Sequence, residues 1–355
     1  MNFQRFRNCM YQLTKSADSG MLFLLSDEPV EDCINSYALL PYKNPATGKL
    51  KPLFHKVLNV IREDVSPLMQ FTDIESPLQL KSRTSKAEYL KNVLTLKGHI
   101  QKGNVYEINY CIEFYSDNAH IDPLNVFLKL NELSKAPYSQ ILKLGDDFII
   151  SASPELFLKK EGDNLITKPI KGTIKRGKTK EEDLALKNEL QNTIKERTEN
   201  VMAVDVARND LSMFAKKGSV TVNKLYNIET FETVHQMVST VSCEIKDGTS
   251  FEKIIDSTFP MASMTGAPKQ RAMDLIDTYE DFNRKSYSGA MGFIDEKGDC
   301  TLSVIIRSIF YNQKTKRLSI AVGGAITYLS DPEKEYEECL LKAQTMLKAL
   351  NATLI

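Results

Sequence analysis

Apolar and polar positions alternate with clear periods over only part of the chain. Up to about residue 80 the pattern is irregular and broken at Pro41, Pro45, Pro52, Pro67 and Pro77. From Ser85 it sharpens. Tyr89, Val93, Leu96 and Ile100 recur at helical spacing behind a Ser85–Glu88 capping box, and VYEINYCIEFY then reads as a strand. A β-rich stretch covers 140–175, with a turn at Glu161–Asn164, and Thr179 to about Asp210 is mainly helical. GAMGFID, TLSVIIRSIFY and RLSIAVGGAIT read as strands joined by the hairpin loops EKGD and NQKTK. A last helix starts from Asp331 as N-cap, with Pro332 in the first turn and an apolar stripe through Tyr336, Cys339, Leu340, Ala343, Met346, Leu347 and Leu350. Strands and helices run in mixed order without βαβ alternation, which predicts an α+β fold.

Composition narrows the function classes. The 355 residues are 42% hydrophobic, enough for a sizeable core. Lys+Arg and Asp+Glu both number 46, so no global basic field exists to hold nucleic acid or an anionic membrane. The longest early apolar run, Met21–Leu25, is far too short to span a bilayer, and the first ten residues lack a secretory pattern. A cytoplasmic protein is expected. Six scattered cysteines form no CxxC or CxxH pair and suggest neither a zinc site nor a disulfide framework, and four histidines favour a hard cation on oxygen ligands for any metal.

Three features sit awkwardly with a purely structural role. Arg307 lies among Ile305, Ile306, Ile309 and Phe310, where a guanidinium is costly unless it clamps an anion; an outward-facing arginine is the bland alternative. Glu335 and Glu338 share one side of the last helix, and Glu199 precedes an apolar helical run. Carboxylates converging from two helices would make an oxygen-rich Mg2+ site, against the simpler reading of solvated helix-start charges. Thr265–Gly266–Ala267–Pro268–Lys269 precedes a helix and Gly323–Gly324 interrupts a strand, places where a ligand can approach the backbone or where the chain merely turns.

Taken in order, GNVYEIN, SASPELF, KPIKGT, ERTENVMAVDVARNDL, VHQMVST, FPMASMTGAPKQRAM, GAMGF, VIIRS, VGGAI and EYEECLLKA resemble the chorismate-utilising enzymes, in particular their aminodeoxychorismate synthase component I branch. The blocks run from about Ser85 to the C-terminus. The resemblance implies one chorismate-binding domain of two packed β-sheets flanked by helices, with 1–84 a shortened, divergent part and 85–355 the catalytic core. It implies that Arg307 grips a chorismate carboxylate and that Thr265, Gly266, Gly323, Gly324 and Lys269 help hold the same ligand. Glu199 and Glu338 would bind Mg2+, with Glu335 a direct or water-mediated ligand. Lys171, where anthranilate synthases usually have Ala, would be a covalent nucleophile. Glu155 would be the general acid/base, and His235 would assist departure of the 4-hydroxyl.

The implied reaction joins ammonia to chorismate, giving 4-amino-4-deoxychorismate for para-aminobenzoate and folate synthesis. No fused amidotransferase motif is present, so a separate glutamine amidotransferase subunit is the implied partner. Departures from the family pattern include Glu107 for a common Gln, Thr198 for Ala, Ala325 for a third Gly and Met264 for Ile. The shortened start argues against a tryptophan pocket. Rival readings are anthranilate synthase component I, opposed by Lys171, and isochorismate or salicylate synthase; isochorismate formation is opposed by Glu107, which stands where those relatives carry a water-activating Lys. A catalytically silent chorismate binder is the alternative from another class.

Overall fold

Ser85 starts the first helix as its sequence predicts: its hydroxyl accepts from the Glu88 amide, and the Glu88 carboxylate accepts from the Ser85 amide. The computed structural model describes residues 11–15, 20–26, 30–42, 51–63, 77–232 and 234–355. Among them, seven α-helices are found: α1 Lys86–Gln101, α2 Pro123–Ser134, α3 Lys180–Asn192, α4 Ile194–Ser212, α5 Phe251–Thr258, α6 Lys269–Tyr279 and α7 Pro332–Ala349. Asp331 caps α7 through the Lys334 amide, with Pro332 behind it.

The strands form two mainly antiparallel sheets. One runs through Leu53–Glu63, Gly20–Leu25, Tyr11–Lys15, Tyr138–Leu144, Asp147–Ser153, Ser308–Asn312, Leu318–Ile326 and Glu107–Ser116. Gly266–Ala267 and Leu78–Ser82 flank the far side of Glu107–Ser116 at its two ends. Leu53–Glu63 also starts the second sheet, which continues through Ser36–Leu40, Ala290–Ile294, Cys300–Val304, Leu156–Glu161, Asn164–Thr167, Val234–Glu244 and Thr221–Thr230. Ile170–Lys175 lies beside Val234–Glu244, in line with Asn164–Thr167. Tyr37, Leu39 and Met291 of this sheet pack with Leu142 and Ile149 of the first. α1, α2, α6 and α7 cover the first sheet, and α4 and α5 cover the second. The expected α+β fold of two packed sheets flanked by helices is what the structure has.

Two expectations need correction and one gains detail. The N-terminal quarter is not irregular where it is described: Tyr11–Lys15, Gly20–Leu25, Ser36–Leu40 and Leu53–Glu63 are strands. Ser36–Leu40 is buried on both faces, so it shows no alternation to read. Thr179 to Asp210 is mainly helical as expected, in two helices, because Thr193 takes an extended backbone between them. TLSVIIRSIFY is also two strands. Cys300–Val304 belongs to the second sheet and Ser308–Asn312 to the first, and Arg307 at φ +53 breaks the extended run between them.

A buried arginine ties the turn at Thr265 to the edge of the first sheet. Arg284 donates to the carbonyls of Met264 (2.7 Å) and Asn109 (2.9 Å), pairs with Glu280 (2.6 Å) and stacks over Tyr42. Glu280 in turn accepts from the Cys111 amide. Arg284→Met is expected to strand Glu280 and cost roughly 3–5 kcal/mol, read as a lower urea midpoint at unchanged m-value.

Candidate active site

Two strands from opposite sheets meet at the centre. Glu107 opens Glu107–Ser116 of the first sheet, and Lys171 is the second residue of Ile170–Lys175 in the second. The register against Val234–Glu244 slips between Ile170 and Thr173, so Lys171 and Gly172 form a bulge. Gly172 has φ +81, and a Cβ there would lie 2.8 Å from Glu196 Oε2, so the bulge needs glycine to sit against α4. Lys171 is buried, and its ammonium donates to Glu107 Oε1. Burial would lower the lysine pKa, but Glu107 and Glu199 outweigh it and hold Lys171 above its ordinary value. It rests as the ammonium.

Glu155, between Asp147–Ser153 and Leu156–Glu161, is buried too. Burial pushes its pKa up to about 7, against a hydrogen bond with Ser263 and the Lys171 charge. Glu199 on α4 is pushed to about 8, first by burial and then by Glu107 and Glu196, with Lys171 and Lys195 opposing.

α7 completes the cluster. Glu335 is 2% exposed, and its Oε1 accepts from Lys195 of α4 at 2.8 Å. Glu338 pairs with Lys342 at 2.7 Å, and Lys342 also donates to the Gly323 carbonyl at 2.8 Å. Burial would raise the Glu338 pKa, but Lys342, Lys195 and Arg307 hold it below the usual range. Gly324 faces this group: a Cβ there would stand 3.4 Å from Glu335 Oε2 and 3.9 Å from Glu338 Oε1. Gly323 serves packing instead, since its Cβ would meet Cys111 Sγ and the Tyr110 carbonyl at 2.4 Å.

Arg307 lies beside a cavity of about 240 Å3 that is also lined by Ala152, Pro154, Thr173, Phe231 and Gln236. Its described hydrogen bond is from Nη1 to the Lys342 carbonyl, and no carboxylate is within ion-pair range among the described residues. Burial holds its pKa below the ordinary arginine value, with Tyr287 and Glu338 opposing. A left-handed arginine with most of its donors free at a cavity is suited to clamp an anion.

The remaining sequence candidates are placed less directly. Gly266 lets the turn approach Glu107: a Cβ would meet the Glu107 carbonyl at 2.1 Å. The Thr265 hydroxyl is spent on the Met261 carbonyl at 3.0 Å. Lys269 is paired with Asp210 at 2.6 Å, so its charge is already matched. His235 is bound on both ring nitrogens, to Asp183 (3.0 Å) and Thr230 (2.9 Å), and does not line the cavity. Its neighbour Gln236 does, and the Gln236 Oε1 is buried without a partner. Strand alternation, which sends neighbours to opposite faces, is the signal that could have separated them. Lys195 and Lys342, each four residues from a candidate ligand, were likewise passed over.

Among the described residues, no three metal-ligating side chains already stand together as a cage. Glu199 Oε1 and Glu335 Oε2 are nevertheless buried without hydrogen-bond partners. Orphaned hard oxygen donors, Glu335 Oε2 beside Gly324 and Glu199 Oε1 near the Lys195 ammonium, fit a hard divalent cation.

A family model described as chorismate binding enzyme matches residues 50–348. The chain belongs to this family. It is 40% identical over 287 residues to an aminodeoxychorismate synthase of Streptomyces pristinaespiralis, covering 80% of the chain and 39% of that protein. It is 35% identical over 311 residues to anthranilate synthase component 1 of Acetivibrio thermocellus, covering 86% and 61%. The chain thus spans less than two thirds of these relatives' lengths. A putative 2,3-dihydroxybenzoate-specific isochorismate synthase from Bacillus anthracis superposes with a TM-score of 0.81 at 21% identity, covering 98% of each chain, and shares the fold. Among the described residues, no helix of this family member is long and apolar enough to cross a membrane.

Arg307→Met in this family member is expected to weaken binding of a dicarboxylate ligand, with chorismate as the probe, about ten- to a hundred-fold. Its melting temperature should hold or rise, because a half-buried guanidinium with no carboxylate partner among the described residues is removed. Calorimetric titration and a thermal scan read the two effects separately.

Proposed function

We propose that the chain is an aminodeoxychorismate synthase component I, converting chorismate and ammonia to 4-amino-4-deoxychorismate and water. The observation that carries this reading is the buried lysine of the bulge, Lys171, held by Glu107 and within electrostatic reach of Glu155. The similarity to aminodeoxychorismate synthases supports it, while the anthranilate synthase relative makes product identity the deciding test.

Arg307 holds a chorismate carboxylate at the cavity. Glu199, Glu335 and Glu338 would hold Mg2+, which when bound would neutralise the ring carboxylate and increase electron demand at the ring. Lys171 passes its proton to Glu107 and attacks C2 as a neutral amine. The two conjugated ring double bonds shift together, and the 4-hydroxyl leaves as water with the proton of Glu155. Ammonia then adds at C4 while the reverse shift expels Lys171 as a neutral amine. Glu107 returns the proton to Lys171, and the new C4 ammonium gives one to Glu155. The enolpyruvyl group is untouched. Ammonia would come from a separate glutamine amidotransferase subunit, and the product would go on to para-aminobenzoate and folate.

Liquid chromatography with mass spectrometry on chorismate, Mg2+ and an ammonium salt should reveal 4-amino-4-deoxychorismate, absent when ammonia is omitted. Anthranilate or isochorismate would overturn this choice of reaction, and Lys171→Ala turning over at the wild-type rate would sink the covalent scheme. The rate should also fall as pH rises through about 7, because Glu155 then loses the proton it must donate. The Lys171 proton moves within its pair and adds no limb of its own. Glu155→Gln should be about 10²–10⁴-fold slower and lack that limb.

A further inference from the structure

Lys195 has no part in the scheme above, yet it occupies a critical place. It lies one helical turn before Glu199 on α4, and its ammonium stands 2.8 Å from Glu335 Oε1 and 3.8 Å from Glu199 Oε1. Both carboxylates are buried, and the outer oxygen of Glu335 and Oε1 of Glu199 have no hydrogen-bond partner. The lysine side chain itself is 30% exposed, so its head has a route to solvent along the start of α4.

We propose that Lys195 is a built-in stand-in cation: in the metal-free chain it bridges Glu199 and Glu335, and a divalent ion binds by displacing it toward solvent. This rests on the reading of these glutamates as metal ligands.

The argument is one of space and charge. A Mg2+ ion needs carboxylate oxygens at about 2.0–2.1 Å in near-octahedral order. An ion on the two unpartnered oxygens, Glu199 Oε1 and Glu335 Oε2, would stand beside the ammonium held on Glu335 Oε1, so lysine and metal repel each other across one pair of carboxylates. Two carboxylates this deeply buried cannot face each other without a cation except by taking up protons. A tethered lysine supplies that cation at no cost in association, and a long flexible stem lets it withdraw. Metal binding is then an exchange, and the cost of expelling Lys195 weakens the apparent affinity for the ion.

Lysine acetylation followed by mass spectrometry, on the wild-type chain with and without Mg2+, tests this directly. Lys195 should be protected in metal-free protein and become about fivefold or more reactive with Mg2+, while exposed Lys217 stays constant as reference. The rise should track Mg2+ binding measured by calorimetry. In parallel, Lys195→Met should bind Mn2+ more tightly by spin resonance titration, and Lys195→Arg should not. Calorimetric binding with unchanged Lys195 reactivity overturns the exchange and leaves the metal reading standing. Absence of Mg2+ and Mn2+ binding in wild type and Lys195→Met alike overturns both.

Discussion

Lys171 and Glu107 form an ion pair between the two sheets, out of reach of bulk water, and the pairing holds Lys171 in its charged form. An isolated lysine at that depth would lose its proton, and an isolated carboxylate would gain one. Much of the local backbone geometry serves this contact. The bulge at Lys171–Gly172 brings the lysine to the centre, and Gly172 lets the bulge rest on α4. Gly266 allows the Thr265 turn to pair directly with the Glu107 backbone, and Arg284 holds that turn to the same strand through the Met264 and Asn109 carbonyls. Desolvating such charges costs several kcal/mol per ion unless geometry and hydrogen bonds repay it. Stability therefore has to come from the apolar layers between and outside the sheets.

The surrounding groups show how the cost is managed. Every candidate carboxylate of the cluster has a lysine near it: Lys171 for Glu107, Lys195 for Glu199 and Glu335, Lys342 for Glu338. Arg307 is the contrast. It is held in a left-handed backbone at the crossing from one sheet to the other and spends one donor on a carbonyl. Backbone strain and incomplete pairing at one residue are the features expected where a ligand supplies the missing partner.

How much of this could be read from the chain depends on how local the cause was. The Ser85 capping box, the Asp331 cap and the hairpins at EKGD and NQKTK rest on neighbours within a few residues, and they stand as read. Ser36–Leu40 depends on a partner far along the chain, Ala290–Ile294, and is buried on both faces, so periodicity missed it. Arg307 could be singled out as an odd charge among isoleucines, but its position at the sheet crossing is a tertiary fact. Lys269 stood out beside a glycine turn; only the fold brings Asp210 to it, and the same holds for Asp183 and His235. The pairing of Glu107 with Lys171 spans 64 residues, and no spacing rule reaches that far.

The two carboxylates assigned to proton transfer differ through their surroundings rather than their chemistry. Glu155 has no ion pair among the described residues, and burial raises it until it can hold a proton near neutrality, which suits a donor to a departing hydroxyl. Glu107 is bound directly to the ammonium that loses a proton on the proposed reading, which suits an acceptor. Exchanging them would fail on both counts, since a carboxylate locked to a lysine cation is a poor acid and one away from it is a distant base. On the proposed reading, the bulge at Gly172 therefore does more than aim a nucleophile. By placing Lys171 against Glu107, it also sets which glutamate gives a proton and which takes one.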